Sequence, residues 1–264
     1  MISVSCIIPH YNDSDRIVRA IDSCLEQENL EEILIVDDGS SPQHHAGLDD
    51  LTKRQRNIRV VRLAESGGPA QARNFGAAIS QAKLICFLDS DDEYLPGFFS
   101  AACGIFAARP HIAAVECGVE VVNQDLSAAL PAEDPRHDAI SFCYPCNMIL
   151  RRDVFFLIGG FPTDPFFRGP TGGEDIAFKV ALARYFDRFL LSRPYSRYYW
   201  KKGAHLDRFL DRTKVIGREW KFAAAYPEER DGEVDRHRDA FLAQVEQRLE
   251  WSKSFCRQLG DKRD

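Results

Sequence analysis

Apolar and polar positions fall into alternating blocks along the first half of the chain. Short apolar runs occur at Ser3–Ile8, Glu32–Val36, Ile58–Leu63 and Leu84–Leu88. They have the length and the β-branched content of strands covered on both faces. Between them the apolar residues return at helical spacing. Ile17, Val18, Ile21, Cys24 and Leu25 define one such helix, with Asp13 or Ser14 as its N-cap. A polar helix is expected near Gln43–Arg56. A small-residue helix is expected after Gly67-Gly68, with Pro69 at its first position. Strand and helix in strict alternation predict a parallel sheet with right-handed crossovers.

The second half is less regular. A longer strand is expected over Ile112–Val122, followed by the polar, proline-marked stretch NQDLSAALPAEDPRHD. Mixed strand and short helix then run to Gly159-Gly160, and a glycine-rich loop precedes Glu174-Asp175 and a further helix. Beyond His205 the spacing predicts two helices, Leu206–Tyr226 and Val234–Leu259. The expected division is a catalytic unit over 1–204, with halves at 1–110 and 111–204, and a helical extension over 205–264.

In parallel sheets of this kind ligands bind beyond the carboxyl ends of the strands. Three polar clusters fall there: His10-Tyr11-Asn12, Asp37-Asp38, and Asp89-Ser90-Asp91-Asp92. Adjacent carboxylates repel and raise one another's pKa unless a cation lies between them. The aspartate run therefore either caps a helix, the expectation for Asp92 with a helix starting near Pro96, or holds a metal. A D-x-D of hard oxygen donors suits Mg²⁺ or Mn²⁺ shared with a diphosphate.

Composition narrows the field. The chain has 264 residues, 45% hydrophobic and 28% charged, enough for a full core. A net charge of −6 offers no global attraction for nucleic acid, which is excluded as a partner. Eight cysteines, of which Cys143 and Cys146 flank Tyr144-Pro145 with no second pair to complete a zinc site, read as reduced, small hydrophobes, which implies the cytoplasm. No apolar run reaches the roughly 20 residues of a membrane helix, and no signal peptide is evident, so any membrane contact is peripheral, at the inner face.

The segments CIIPHYND, ILIVDDGSS, GGPAQARNFGAAIS, ICFLDSDDEYLP and GGEDIAFKVAL occur in that order between Ser3 and Leu182. Together they resemble the inverting family 2 glycosyltransferases, α/β enzymes of the GT-A fold with a mostly parallel central sheet flanked by helices. The resemblance implies transfer of a sugar from a nucleoside-diphosphate sugar, UDP first, to a hydroxyl of a glycan or lipid-linked acceptor in cell-surface polysaccharide synthesis. It implies that Pro9, Tyr11 and Asn12 border the nucleotide, with Tyr11 stacked on the base. Asp38, with Asp37 as the competing neighbour, would bond the base, and Arg73 would lie near the nucleotide. Asp89, Ser90 and Asp91 would form the D-x-D, Asp91 ligating Mn²⁺ or Mg²⁺ directly and Asp89 near the ribose or sugar. Asp175 would be the general base, with Glu174 binding the acceptor or orienting the loop. His205 is a candidate third metal ligand, and Lys201 and Lys202 either attract the diphosphate or are solvated.

Other classes lack their marks. No G-x-G-x-x-G follows the first strand, no P-loop is present, and PHYNDSDR is not the glycine-rich basic loop of a nucleotidyltransferase. The alternative kept open is a member of the same fold that binds nucleotide sugar or a partner without turnover. Phe209, Trp220, Phe222, Phe241, Leu249, Trp251 and Phe255, set among Lys and Arg, pack on the catalytic unit, form a homodimer or meet a membrane.

Overall fold

The structure is a computed structural model describing residues 2–13, 16–123, 128–168, 172–203, 205–222 and 229–260. The first half alternates as its pattern predicts: β1 (Val4–His10), α1 (Ile17–Leu25), β2 (Leu30–Asp37), α2 (His45–Arg54), β3 (Ile58–Arg62), α3 (Pro69–Ile79) and β4 (Leu84–Phe87). A two-residue strand β5 (Glu93–Tyr94) and helix α4 (Phe98–Ala108) follow. Then come β6 (Ala114–Asn123), α5 (His137–Cys143), β7 (Met148–Arg151), α6 (Arg152–Ile158), α7 (Glu174–Tyr185) and β8 (Arg188–Trp200). The C-terminal part comprises α8 (His205–Arg212), β9 (Thr213–Ile216), β10 (Glu219–Phe222) and α9 (Glu229–Gly260).

Eight strands form one sheet in the order β3-β2-β1-β4-β7-β6-β8-β5. The first four are parallel, β7 is antiparallel to both neighbours, β6 and β8 are parallel, and β5 closes the edge antiparallel to β8. Both faces are covered, which is why the strand sequences are apolar at successive positions. Cys6, Ile8, Ile33 and Ile35 face α1 and α4, while Ile7, Leu34, Val36 and Phe87 face α3, α6, α7 and α9. Pro9 lies in a central strand, yet β4 pairs with β1 only as far as Ile7, so its missing N–H breaks no ladder bond on that side.

Three expectations change. Helix α1 has Arg16 at its N-cap position with no side-chain cap bond; the Asp13 carboxylate is held instead by Arg16, and Ser14 lies outside the described residues. Asp92 does not cap the next helix. It is fully buried, and α4 begins after Gly97, whose φ of 92° is the left-handed conformation glycine tolerates. The expected helix Leu206–Tyr226 stops at Arg212, and 213–222 form a hairpin. The β-branched run Thr213, Val215, Ile216 favours extended backbone, and Gly217 at φ 67° supplies the positive-φ turn of a two-residue hairpin loop. Helix α9 packs back on the domain: Phe241, Leu242 and Val245 are buried with residues of α6 and α7.

Helix α3 lies close on the sheet because Gly76 has no Cβ; one added there would stand 2.4 Å from Ile7 Cγ2 and 3.1 Å from Val36 Cγ2. Gly76→Ala improves helix propensity by about 1 kcal/mol but overpacks this contact. We expect a net loss of about 1–2 kcal/mol in urea unfolding; a stabilised variant would show the contact to be looser than described.

Candidate active site

The site is assembled at the carboxyl ends of β1, β2 and β4. Tyr11 stands at the mouth, 55% exposed. The turn that presents it is tied to the end of β2. Asn12, at φ 50°, donates its N–H to Ser40 Oγ (2.9 Å), and its side-chain oxygen accepts from Ser41 N–H (2.9 Å) and Oγ (3.1 Å). Beneath, His10 Nδ1 lies 3.5 Å from Asp37 Oδ1 and 3.3 Å from Ser40 Oγ, and burial lowers the His10 pKa against the opposing pull of Asp37. Asp37 is therefore a buried post. Asp38 grips the next loop, accepting from Ser66 Oγ (2.7 Å), Gly67 N–H (2.9 Å) and Gly68 N–H (2.8 Å). A carboxylate has about four lone-pair sites, so one remains for a ligand.

The loop that Asp38 holds leads into α3 and places Arg73 in the middle of the site. Arg73 is almost fully buried; its Nη2 meets Asp89 Oδ1 at 2.6 Å, and its Nη1 stands 3.7 Å from Glu174. Burial alone would lower the guanidinium's pKa, but Asp89 and Glu174 hold it above the ordinary value. Its Nε is buried without a hydrogen-bond partner among the described residues.

The aspartate run forms a tight turn, with the Asp92 N–H donating to the Asp89 carbonyl at 3.1 Å. Ser90, at its second position, is half-buried. Its three carboxylates have separate fates. Asp89 pairs with Arg73, while its N–H donates to Cys146 Sγ (3.3 Å). Asp91 points to the rim, where Lys201 and Arg16 reach its Oδ2, the latter at 3.4 Å. Burial first, then Asp89, push its carboxyl up to about 6, opposed by Arg16. Asp92 accepts from the Tyr144 hydroxyl (2.8 Å) and the Tyr199 N–H (2.8 Å), pegging the turn to β8 and to the loop after α5.

Ligand atoms of Asp89, Asp92 and Cys146 lie within 4.8 Å of one another. That trio suits a hard cation poorly. Both Asp92 oxygens already accept hydrogen bonds, and burial holds the Cys146 thiol well above its ordinary pKa, so it stays neutral. The oxygen donors of Asp89 and Asp91 do fit Mg²⁺ or Mn²⁺ by their chemistry, although Arg73 pairs with the first and Lys201 and Arg16 with the second. The side chain of His205 lies outside the described residues.

Across Arg73 from Asp89, α7 begins at Gly173, with φ 103°, and carries Glu174 and Asp175 in its first turn. Asp175 keeps a partly exposed tip but is densely surrounded. Burial, then Glu174, push its carboxyl up to about 7 against the pull of Arg73. A carboxylate poised near neutrality is suited to take a proton. A cleft of about 380 Å³ is lined by Glu174 together with the turn into α3 (Ser66–Ala70), Phe167, Arg168 and Gly172.

The motif reading missed the support beneath these groups. Lys179, one turn after Asp175, is buried, and its Nζ donates to Ser141 O (2.9 Å), Tyr144 O (3.1 Å) and Asn147 Oδ1 (2.7 Å) beside Glu116 (3.5 Å). It thereby locks α7 to the loop that carries Tyr144 and Cys146. A lysine four residues after Asp175, among the buried positions of α7, was the available signal.

The chain is similar in structure to S. aureus TarS 1–349, solved in complex with UDP, at a TM-score of 0.62 and 20% identity over 76% of this chain and 61% of that one. That likeness, with the curled, mostly parallel sheet, defines the GT-A fold. Residues 5–157 match the model of glycosyl transferase family 2, and the chain belongs to that family. Similar curated proteins include the succinoglycan biosynthesis protein ExoU of Rhizobium meliloti (strain 1021), 41% identical over 97 residues, 36% of this chain and 28% of that protein. The putative teichuronic acid biosynthesis glycosyltransferase TuaG of Bacillus subtilis (strain 168) is 39% identical over 92 residues, 34% of this chain and 36% of that one. The chain thus spans only about a third of the length of these relatives.

Replacing Lys179 by Met strands three buried acceptors, while Glu116 keeps Arg188 at 2.7 Å. A buried polar group left unpaired costs about 1–3 kcal/mol, so we expect a loss of at least about that size in chemical denaturation. A variant as stable as the wild type would show that the lysine is dispensable to the site's frame.

Proposed function

We propose that the protein transfers a sugar with inversion from a nucleoside-diphosphate sugar, UDP-linked first, to a hydroxyl of a glycan or lipid-linked acceptor in cell-surface polysaccharide synthesis. The observation that carries this reading is the buried Arg73 between Asp89 on the donor side and Glu174, next to Asp175, on the acceptor side. It brings a diphosphate site and a base poised near neutral pH to one place. The UDP bound by TarS and the polysaccharide-related names of ExoU and TuaG support the donor and acceptor classes.

The base stacks on exposed Tyr11 beside Pro9 and Asn12, and the uracil N–H takes the lone pair that Asp38 retains. Asp89, Ser90 and Asp91 border the diphosphate and sugar, and Asp89 and Asp91 would hold Mn²⁺ or Mg²⁺. When bound, that ion supplies positive charge to the departing nucleoside diphosphate. The unpartnered Nε of Arg73 offers a further donor. Asp175 takes the proton of the acceptor hydroxyl as its oxygen attacks the anomeric carbon. The new glycosidic C–O bond forms as the bond to the diphosphate oxygen breaks, and a single displacement inverts the centre. Glu174 keeps Arg73 and the start of α7 in register.

A second reading, binding without turnover, has one observation in its favour: Arg16 and Lys201 already neutralise Asp91. Calorimetric titration of UDP and UDP-sugars with and without Mn²⁺ separates the two. Transfer requires Mn²⁺-dependent affinity that Asp91→Ala loses; unchanged affinity in the variant or without metal favours the second reading.

Asp175→Asn should retain donor binding and lose about 10²–10⁴ in kcat. Because the base acts ionised and its carboxyl sits at about 7, kcat/KM should fall about tenfold per pH unit below that value and level off above it. A profile flat from pH 5 to 8 would remove Asp175 from the role.

A further inference from the structure

The hairpin β9–β10 stands apart from the main sheet as a two-stranded unit. Such a hairpin is marginal in water by itself. It is held at its root, where Arg136 Nη1 donates to the Leu210 carbonyl (3.5 Å) and Thr213 Oγ1 (3.3 Å), and where Phe209 of α8 meets Trp220 edge-on at 5.2 Å. Toward its tip the apolar side chains turn outward: Val215 is 42% and Ile216 62% exposed. Lys214 and Lys221 sit directly opposite each other in the ladder. Like charges in that position destabilise a hairpin unless an outside anion compensates them. Between Lys201 and Phe222 seven basic residues face three acidic ones, a surplus of four on a chain whose net charge is −6.

We propose that this hairpin docks the protein on an anionic lipid bilayer. The facing lysines meet the phosphate headgroups, and Val215 and Ile216, toward the tip, enter the interface. Charge and the apolar tip together choose this occupant: a basic surplus beside exposed Val215 and Ile216 matches an anionic leaflet, which sets phosphates above an apolar layer. The position relative to the site is coherent. Lys201 contacts Asp91, α8 begins at His205, and the hairpin starts directly after that two-turn helix. The membrane would therefore lie beside the donor rim, within reach of an acceptor anchored in it. The corrected element matters here, since the docking surface is a hairpin and not a helix face.

The test is flotation of the full chain with vesicles of phosphatidylcholine alone and of phosphatidylcholine mixed with phosphatidylglycerol. Binding should require phosphatidylglycerol and weaken with salt. Lys214→Ala with Lys221→Ala should lower the partition coefficient about 25-fold, about fivefold for each lysine. Ile216→Asp should lower it about tenfold. These positions are exposed, and circular dichroism matching the wild type establishes that the variants fold. Asp175→Asn should float as the wild type does. The assay contains no donor sugar, so its failure leaves the transfer reading standing, and loss of transfer leaves the docking result standing. The proposal is overturned if the protein ignores phosphatidylglycerol vesicles, or if the lysine variant binds them as well as the wild type. It is also overturned if the wild type dimerises without lipid and the same substitutions make it a monomer, which would assign the face to a second copy.

Discussion

The site depends on one buried cation. Arg73 enters from α3, and its guanidinium lies between Asp89, at the end of β4, and Glu174, at the start of α7. Those carboxylates come from different halves of the chain and would repel if they met alone. Removing a guanidinium from water is costly, and it is tolerated where the geometry is good and charges are matched. The arginine thus fixes the spacing between the aspartate turn and the start of α7. Its Nε–H has no hydrogen-bond partner among the described residues.

Around that cation the protein builds a floor of saturated polar contacts. Asp92 takes two donors from β8 and from the loop after α5, Cys146 receives the Asp89 N–H, and Lys179 ties that same loop to α7. Each group is buried, so each is costly if left unpaired, and together they resist small displacements. On this floor stand the rim carboxylates Asp89 and Asp91 and, across Arg73, the proposed base Asp175. Asp91 and Asp175 have raised pKa values because burial and like charges surround them. The rigid floor and the poised rim are parts of one device, since carboxylates free to move apart would relax to ordinary acidity.

Much of this was legible in the chain. The β1–β4 alternation and the glycine turn before Pro69 followed from period and punctuation, because strands buried on both faces must be apolar throughout. Ordered motifs pointed to the family, and the family model agrees over residues 5–157. The hairpin at 213–222 was misread as helix, since alternating lysines and aromatics over a short stretch satisfy either period, and only Gly217 marked the turn. Asp92 was misread as a cap because a third aspartate in a turn usually meets solvent; two tyrosines distant in sequence bury it instead.

What the sequence by itself determined was the order of elements, the carboxyl-end placement of the polar clusters, and the family. These are local or ordered properties, set by side-chain period, turn chemistry and motif succession. What only the tertiary structure decided was which partner each carboxylate takes. Asp37, Asp38, Asp89, Asp91 and Asp92 are chemically identical side chains in similar local settings. Long-range partners separate them: His10 for Asp37, the 66–68 loop for Asp38, Arg73 for Asp89, Lys201 for Asp91, and Tyr144 with Tyr199 for Asp92. A carboxylate's charge and availability are set by the dielectric and the donors around it, and those arrive from chain segments that no local pattern encodes.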